Sequence, residues 1–312
     1  DGSGESYTLE TAVFAIADGG EITLGAGTYR LERPLETTRS ISLVGAGIDQ
    51  TVIAATSEYY VIRFNGAGTF TLQGVTVELD GGENANAVQV ESGEVTFTDC
   101  RFKGNGNNST GLYLGGSTKA TVKDCEATNN RNIGFAVQDQ AQLTLENSIC
   151  SGNKEYGIGF LGEAVGTVRQ TECTDNNYGI YIGGQAKVDL ENSVFSKNQA
   201  NGISYADSAS GTVSNNECNG NENGIYIANQ AKVDLEGNQC SENREDGIRY
   251  FNNASGTARK NTFSKNGNYG ILVTDQAQVT LEENVCATNG EGGMLFGGET
   301  KSVARKNNID YI

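Results

Sequence analysis

A glycine followed by an alternating apolar triplet recurs at a nearly fixed interval through most of the chain. The triplets follow these glycines: Gly111, Gly134, Gly157, Gly179, Gly202, Gly224, Gly247, Gly270 and Gly293. The steps of 22 or 23 residues indicate a solenoid rather than a globular domain. Two further short apolar stretches follow each triplet with period-two patterns, and Gly or Asn separates them, which predicts three strands and three corners. Each unit is therefore interpreted as one coil of a parallel β-helix.

The predicted fold is all-β, a single-stranded parallel β-helix of about 13 coils of 22–25 residues, roughly 60 Å long. Two kinds of coil alternate along it. The repeat glycine precedes the first apolar residue of the second strand by 11 residues from Gly111 to Val122, and by 9 from Gly134 to Leu143. This alternation predicts a unit of two coils, about 45 residues, in which one corner takes two registers.

Two residue types are predicted to form structural columns inside the helix. One inward column on the third strand has Phe or Ile in some coils and Cys in the others. It contains all seven cysteines: Cys100, Cys125, Cys150, Cys173, Cys218, Cys240 and Cys286. Seven is an odd number, so complete pairing within the chain is excluded, and free buried thiols are expected. Three residues later, stacked asparagines would satisfy the buried backbone of a corner: Asn153, Asn176, Asn198, Asn221, Asn243, Asn266 and Asn289.

The two ends of the chain differ from the repeats. Apolar residues from Leu9 to Ile16 lie at helical spacing after a capping Thr8, which predicts a helix over the open end of the core. Residues 1–60 would form this cap and the first coils, and residues 61–312 would continue as repeats of the same domain. No cap or helix follows Asn307, so a further domain or partner is expected at the C-terminal end.

Composition excludes several functions. The 312 residues include no His, which removes imidazole bases, Ser-His or Cys-His nucleophiles and His metal ligands. Basic residues number 22 against 39 acidic ones, a net charge of −17, so no nucleic-acid partner is expected. No apolar run approaches the roughly 18 residues of a membrane span, and no membrane insertion is expected.

The opening segment resembles the pectin-lyase-like right-handed parallel β-helix family, and pectin methylesterases in particular. The resemblance covers roughly residues 1 to 55 and depends on a capping helix and three motifs: Gly27-Thr28-Tyr29, Leu43-Val44-Gly45-x-Gly47 and Thr51-Val52-Ile53. The catalytic segments of those esterases are absent. The remaining repeats resemble the Asn-rich β-helix (PbH1) repeats and the carbohydrate-binding and sugar-hydrolase (CASH) repeats. Membership implies a right-handed helix but no single function.

Outward side chains of the triplets are the predicted carbohydrate-binding residues: Tyr113, Tyr181, Ser204, Tyr226 and Arg249. Tyr181 and Tyr226 would lie two coils apart, about 9–10 Å, with Ser204 between them and Arg249 one coil beyond. Aromatic rings at this interval could stack on successive sugars, and Arg could bind a carboxylate or hydroxyl. The alternative is that Tyr simply suits an exposed strand.

Catalytic residues are not identified by the sequence. Members of the resembled family whose catalysis depends on His cannot share their mechanism with this chain, which has no His. Pectate lyases of the family use Asp-bound calcium and an Arg. The Asp residues here are scattered over loops: Asp80, Asp99, Asp124, Asp139, Asp175 and Asp207. We therefore predict no cofactor and no metal site, and nothing supports calcium. On the second strand, opposite charges predict ion pairs of Arg169 with Asp189 and of Asp234 with Arg259.

The leading hypothesis is a non-catalytic β-helix domain of a larger protein that binds carbohydrate or protein along a strand face. The alternatives are a secreted polysaccharide lyase or glycoside hydrolase and a structural spacer. Regular repeats favour binding, whereas a cleft with carboxylates, or with Arg and Tyr of shifted pKa, would favour an enzyme. The compartment stays open, because the resembled family is mostly extracellular while free thiols suit a reducing, cytoplasmic environment.

Overall fold

The computed structural model describes residues 8–309, which form a right-handed parallel β-helix of about 13 turns. Helix α1 (Leu9–Ala15) precedes the first coil, and its first turn is capped by Thr8, whose Oγ1 accepts a hydrogen bond from Thr11 N–H at 3.3 Å. Leu9 and Val13 are the buried residues of α1, so the helix packs on the core as the sequence predicts. The chain beyond Ile309 lies outside the described residues, and a partner at that end stays a prediction.

The strands form three parallel sheets that run the length of the rod. Two long strands, Tyr60–Asp80 and Asn86–Gly104, bend through all three sheets. The first sheet carries the repeat triplets. Its remaining strands are Leu35–Thr37, Thr110–Leu114, Phe135–Val137, Tyr156–Phe160, Tyr178–Ile182, Ile203–Tyr205, Ile225–Ile227, Ile248–Tyr250, Tyr269–Val273 and Gly292–Phe296.

The second and third sheets complete each coil. The second sheet contains Gly20–Thr23, Ile41–Val44, Lys119–Lys123, Gln142–Glu146, Val165–Arg169, Lys187–Glu191, Ser210–Ser214, Lys232–Glu236, Ser255–Arg259, Gln278–Glu282 and Val303–Arg305. The third contains Gly27–Arg30, Thr51–Thr56, Glu172–Thr174, Val194–Ser196, Gln239–Ser241, Thr262–Ser264, Val285–Ala287 and Asn308–Ile309. No helix among residues 8–309 is long and apolar enough to cross a membrane.

The strand register is the same in successive coils, so the predicted alternation between two corner registers is wrong. Leu143 pairs with Ala120 and with Gly166 in the neighbouring coils, whereas Val122 pairs with Leu145. The first inward position of the second strand therefore lies nine residues after the repeat glycine in each of these coils. Alternate coils have Gly or Ala at this position, so their first large apolar residue lies two positions later and gives the impression of a second register.

Side-chain volume is what alternates with the two-coil unit. A Cβ added to Gly166 would lie 2.4 Å from the ring of Phe160, which ends the first-sheet strand of the same coil. The next coil has the smaller Ile182 opposite the larger Val188. Glycine recurs at this position at Gly211 and Gly256, where an added Cβ would lie 1.8 Å from a valine carbonyl oxygen of the preceding coil, and at Gly211 also 3.0 Å from the Tyr205 hydroxyl. A large ring is thus accommodated by a missing side chain, which keeps the packing dense.

The cysteines are all buried and free, as predicted, but they lie in two inward columns rather than one. The third-sheet register aligns Cys173 with Phe195 and aligns Cys286 with Phe263 and Ile309. This column contains Cys150, Cys173, Cys218, Cys240 and Cys286. Glu126 pairs with Ile149, so the residues that precede them, Cys125 and Ser148, are aligned. The other two cysteines, Cys100 and Cys125, therefore lie in the column of Ser148, two residues earlier in the coil.

The predicted asparagine column is a hydrogen-bonded ladder. Asn153 Nδ2 donates to Asn176 Oδ1 at 3.0 Å and to the Ala127 carbonyl at 2.9 Å, and this pattern continues to Asn289. The ladder begins one coil earlier than predicted, at Asn130. The sequence reading missed a second ladder in the column of Cys125, which consists of Ser148, Thr171, Ser193, Asn216, Asn238, Asn261, Asn284 and Asn307.

Ion pairs on the outside of the second sheet also differ from the prediction. Arg169 Nε lies 3.1 Å from an oxygen of Glu191, and Arg259 Nη2 lies 2.8 Å from Glu236. The predicted partners Asp189 and Asp234 belong to the neighbouring outward row. Each instead accepts hydrogen bonds from the N–H and hydroxyl of a threonine in the next coil. The error has the same cause as the register error, a two-residue offset between alternate coils.

Candidate functional site

The predicted carbohydrate-binding residues share one outward row of the first sheet. Pairing aligns Tyr181, Ser204, Tyr226 and Arg249 in four consecutive coils, and Tyr113 lies in the same row three coils before Tyr181. The tyrosines and Arg249 are partly exposed. Ser204 is buried and accepts a hydrogen bond from Asn201 Nδ2, so it separates Tyr181 from Tyr226 without projecting between them.

Two further tyrosines that the sequence reading missed lie beside this row. Tyr156 stacks on Tyr181 with ring centroids 5.2 Å apart and an interplanar angle of 18°. Tyr178 contacts both rings, at 5.5 Å from Tyr156 and 6.2 Å from Tyr181. Both tyrosines come immediately before a repeat glycine, and this position was the signal in the sequence that could have identified them. We call the surface formed by Tyr113, Tyr156, Tyr178, Tyr181 and Tyr226 the tyrosine face.

The ring of Tyr181 lies across the corner that leaves the first sheet. A Cβ added to Gly183 would be 2.9 Å from Cε1 of that ring and 3.3 Å from Oδ2 of Asp207. Gly184 N–H donates to Asp207 Oδ2 at 2.9 Å, which fixes the carboxylate next to the ring. The absence of a side chain at position 183 thus lets the ring lie this close to the backbone of the corner.

Tyr113 has the same surroundings three coils earlier, about 14 Å along the rod. Its ring lies 2.7 Å from a Cβ added to Gly115, and Gly116 N–H donates to Asp139 Oδ2 at 2.9 Å. Asp139 and Asp207 were among the carboxylates that seemed scattered in the sequence. They hold the same corner position, each with a positive φ, in coils three apart.

The phenols of the tyrosine face have raised pKa values. Burial is the main cause, and it raises the pKa of Tyr156 to about 12, with a further contribution from Glu155. Burial and then Asp207 raise the pKa of Tyr181. These phenols are therefore neutral hydrogen-bond donors and acceptors at pH 7, and they are poor general bases.

Arg249 has neighbours that the sequence did not reveal. Its Nη1 lies 3.5 Å from an oxygen of Glu245, and its guanidinium lies 5.8 Å from the ring centroid of Phe251. Its buried Nε has no hydrogen-bond partner within residues 8–309. Asp246 is buried nearby and accepts the Tyr269 N–H at 3.0 Å, and burial raises the pKa of its carboxyl group.

Within residues 8–309, no three or more Cys, Asp or Glu side chains are grouped in a way that could hold a metal ion. The carboxylates nearest the tyrosine face are instead distributed along its edges, one or more coils apart.

Comparison with known proteins identifies a family and several structural relatives. The family described as the right handed beta helix region matches residues 60–192 and 178–312. No curated protein matches the sequence. The A-module of the Azotobacter vinelandii mannuronan C-5 epimerase AlgE6 is 18% identical with a TM-score of 0.77, and the match covers 96% of this chain and 92% of that one.

Two other solved structures have the same fold at similarly low identity. The catalytic unit of a thermostable GH87 α-1,3-glucanase from Streptomyces thermodiastaticus strain HF3-3 is 15% identical with a TM-score of 0.69, over 95% of this chain and 65% of that one. Pectate lyase Pel9A is 20% identical with a TM-score of 0.54, over 96% and 73%. Identities this low establish the fold alone.

Proposed function

Since the chain belongs to the right-handed β-helix family, we propose that its tyrosine face binds a carbohydrate chain. The observation that carries the proposal is the pair of rings, Tyr113 and Tyr181, that lie across Gly115 and Gly183 at equivalent corners. Each ring has a fixed carboxylate at its edge. Sugar rings have apolar C–H surfaces that stack on aromatic rings, and hydroxyls at their rims that bind carboxylates.

The spacing and chemistry of the face support this proposal. The two corners are about 14 Å apart along one straight sheet, so an extended chain of several sugars could contact both. Tyr156, Tyr178 and Tyr226 add aromatic surface between and beyond them. The solved relatives are an epimerase of mannuronan, an α-1,3-glucanase and a pectate lyase by name, so the fold hosts proteins that act on polysaccharides.

A glycan array tests the proposal. Wild-type protein should bind at least one class of glycan, and the Tyr181→Ala/Tyr226→Ala variant should lose at least tenfold in affinity, because two stacking surfaces are removed. Tyr59→Ala is the matched control, since Tyr59 is 72% exposed but lies outside the face. Undiminished binding by the double variant, or no glycan bound by the wild type, would contradict the proposal.

An enzyme that acts on a polysaccharide is the second candidate. Tyr226, Asp246 and Arg249 lie in two adjacent coils, and a buried carboxyl group with a raised pKa is suited to donate a proton. Incubation with polyuronates and glucans should then release unsaturated products or new reducing ends, and Asp246→Asn should abolish the release. Absence of product from every polysaccharide would remove this candidate and leave the binding proposal unchanged.

A further inference from the structure

We propose that the glycan bound at the tyrosine face is cationic, a chain of amino sugars that carry protonated amines. This inference rests on the proposed function and names the class of ligand. Three observations carry it: the composition of the corner beside the face, the carboxylates near its tyrosines, and the contacts that Arg249, beside the face, makes with Glu245 and Phe251.

The four residues that follow each first-sheet strand include carboxylates and amides but no basic residue over nine coils, from Gly115 to Thr300. Its acidic residues, which we call the acidic corner, are Asp139, Glu163, Asp207, Asp275 and Glu299. All five are exposed. A bound glycan would therefore lie next to a row of negative charges on the rod.

Carboxylates also dominate the electrostatic surroundings of the rings. Burial and then carboxylates raise the pKa of three of the phenols: Asp139 and Glu91 act on Tyr113, Glu155 and Glu222 on Tyr178, and Asp207 on Tyr181. Burial also raises the pKa of Tyr226, where Arg249 acts in the opposite direction and Asp275 adds to the rise.

The basic residues nearest the face lie beside the acidic corner and not among its carboxylates. Arg249 lies over Phe251 and within 3.5 Å of Glu245. Arg131, Lys154 and Arg244 lie on the loops that enter the first sheet, and the Arg244 guanidinium donates to the Gln199 carbonyl. In four coils a lysine directly follows these corner residues: Lys119, Lys187 and Lys232 begin second-sheet strands, and Lys301 precedes the strand that begins at Val303.

Charge complementarity then selects among glycans of equal shape. A polyuronate would be repelled by the acidic corner and by the net charge of −17, whereas protonated amines would be attracted by both. Aspartate at the corner would bind such amines at the rim of a stacked sugar, with its position held by the Gly116 and Gly184 N–H groups. The aromatic rings alone would not distinguish these ligands.

Calorimetry with three hexasaccharides of comparable size tests the inference: β-1,4-linked glucosamine, its fully N-acetylated counterpart and galacturonate. At about pH 5.5, the amine chain should bind at least tenfold more tightly than the acetylated chain. The advantage should shrink when salt is raised from about 0.05 M to about 0.5 M. Galacturonate should bind most weakly.

A matched pair of variants locates the charges responsible. Asp139→Asn/Asp207→Asn removes two carboxylates at positions of positive φ, and asparagine suits these because Asn229 and Asn252 occupy the same corner position with positive φ. This variant should lose most of the preference for the amine chain. Asp99→Asn/Asp124→Asn makes the same change at positive-φ positions on a different corner and should retain it.

The outcomes separate this inference from the function on which it depends. Equal or tighter binding of the acetylated or uronate chain overturns the cationic ligand while leaving glycan binding in place. Equal binding of oligolysine with the same number of charges overturns it in favour of a basic peptide. Failure of every glycan to bind removes both the inference and the proposed function.

Discussion

Cys286 and Tyr250 illustrate how burial fixes the protonation state of side chains inside the coils. Burial raises the pKa of the Cys286 thiol to about 12, and it raises the pKa of the Tyr250 phenol well above its ordinary value. Burial is also the main cause of the raised pKa values of Cys100, Cys150 and Cys218, and a neighbouring thiol in the same column raises each of them further. These groups are therefore neutral at pH 7, as apolar core residues must be.

This burial predicts a loss of stability at alkaline pH. A thiol whose pKa is higher in the folded than in the unfolded chain contributes fully below its unfolded value, near 9, and loses its contribution as pH rises toward about 12. The midpoint of urea unfolding should be nearly constant from pH 7 to about 8 and should fall above about 9.

At pH 8, a thiol reagent should modify none of the seven cysteines in the native protein and all seven in urea. Rapid native modification would contradict the buried columns.

At the scale of strands, alternate coils share the interior volume between the first and second sheets in two different ways. Phe160 fills the space above Gly166, while the next coil divides the same space between Ile182 and Val188. The backbone pairing is uninterrupted by this change. The 45-residue unit is therefore a pattern of packing on a constant register.

Exchange of one packing solution for the other should reveal the coupling. Gly166→Val alone should destabilise by about 1–3 kcal/mol through overpacking, and Phe160→Ile alone by about 1–2 kcal/mol through a cavity. The double variant copies Ile182 and Val188 and should cost at least about 1 kcal/mol less than the sum of the two. Phe160→Ile with Ile271→Val, five coils away in the buried core, should be additive. Additivity of the adjacent pair in urea unfolding would refute this account of the two-coil unit.

For the whole molecule, the repeat of glycines was sufficient to predict the fold, the sheet of triplets and the ladder from Asn153 to Asn289. The register within a coil was harder, because Gly166 and Ala120 occupy inward positions without an apolar signature. Skipping them displaced the second strand by two residues in alternate coils. The same displacement assigned Arg169 to Asp189 rather than to Glu191. Cys125 was placed in the wrong column for a different reason: it lies 14 residues after Gly111, whereas Cys150 lies 16 residues after Gly134.

The tyrosine face was only partly predictable for a related reason. Tyr181 and Tyr226 follow directly from the spacing of the triplets, and the register places them two coils apart. Asp207 is 26 residues from Tyr181 in sequence, and only coil stacking brings its carboxylate to the ring. Its equivalent Asp139 is three coils away, with Gly at this corner in the coils between, so no local motif connects them.

If the rings held close to the corner glycines bind a glycan, one affinity measurement tests this binding most directly. Gly115→Ala/Gly183→Ala leaves every tyrosine in place but puts each new Cβ within 3 Å of a ring, so the rings must tilt. Gly297→Ala is the control, because the equivalent corner there follows Leu295 and a Cβ would meet only Thr274 Cγ2 at 3.6 Å. By calorimetry with the preferred glycan, we expect at least tenfold weaker binding for the double variant and wild-type affinity for the control. Equal affinity of the double variant and the wild type would contradict the account.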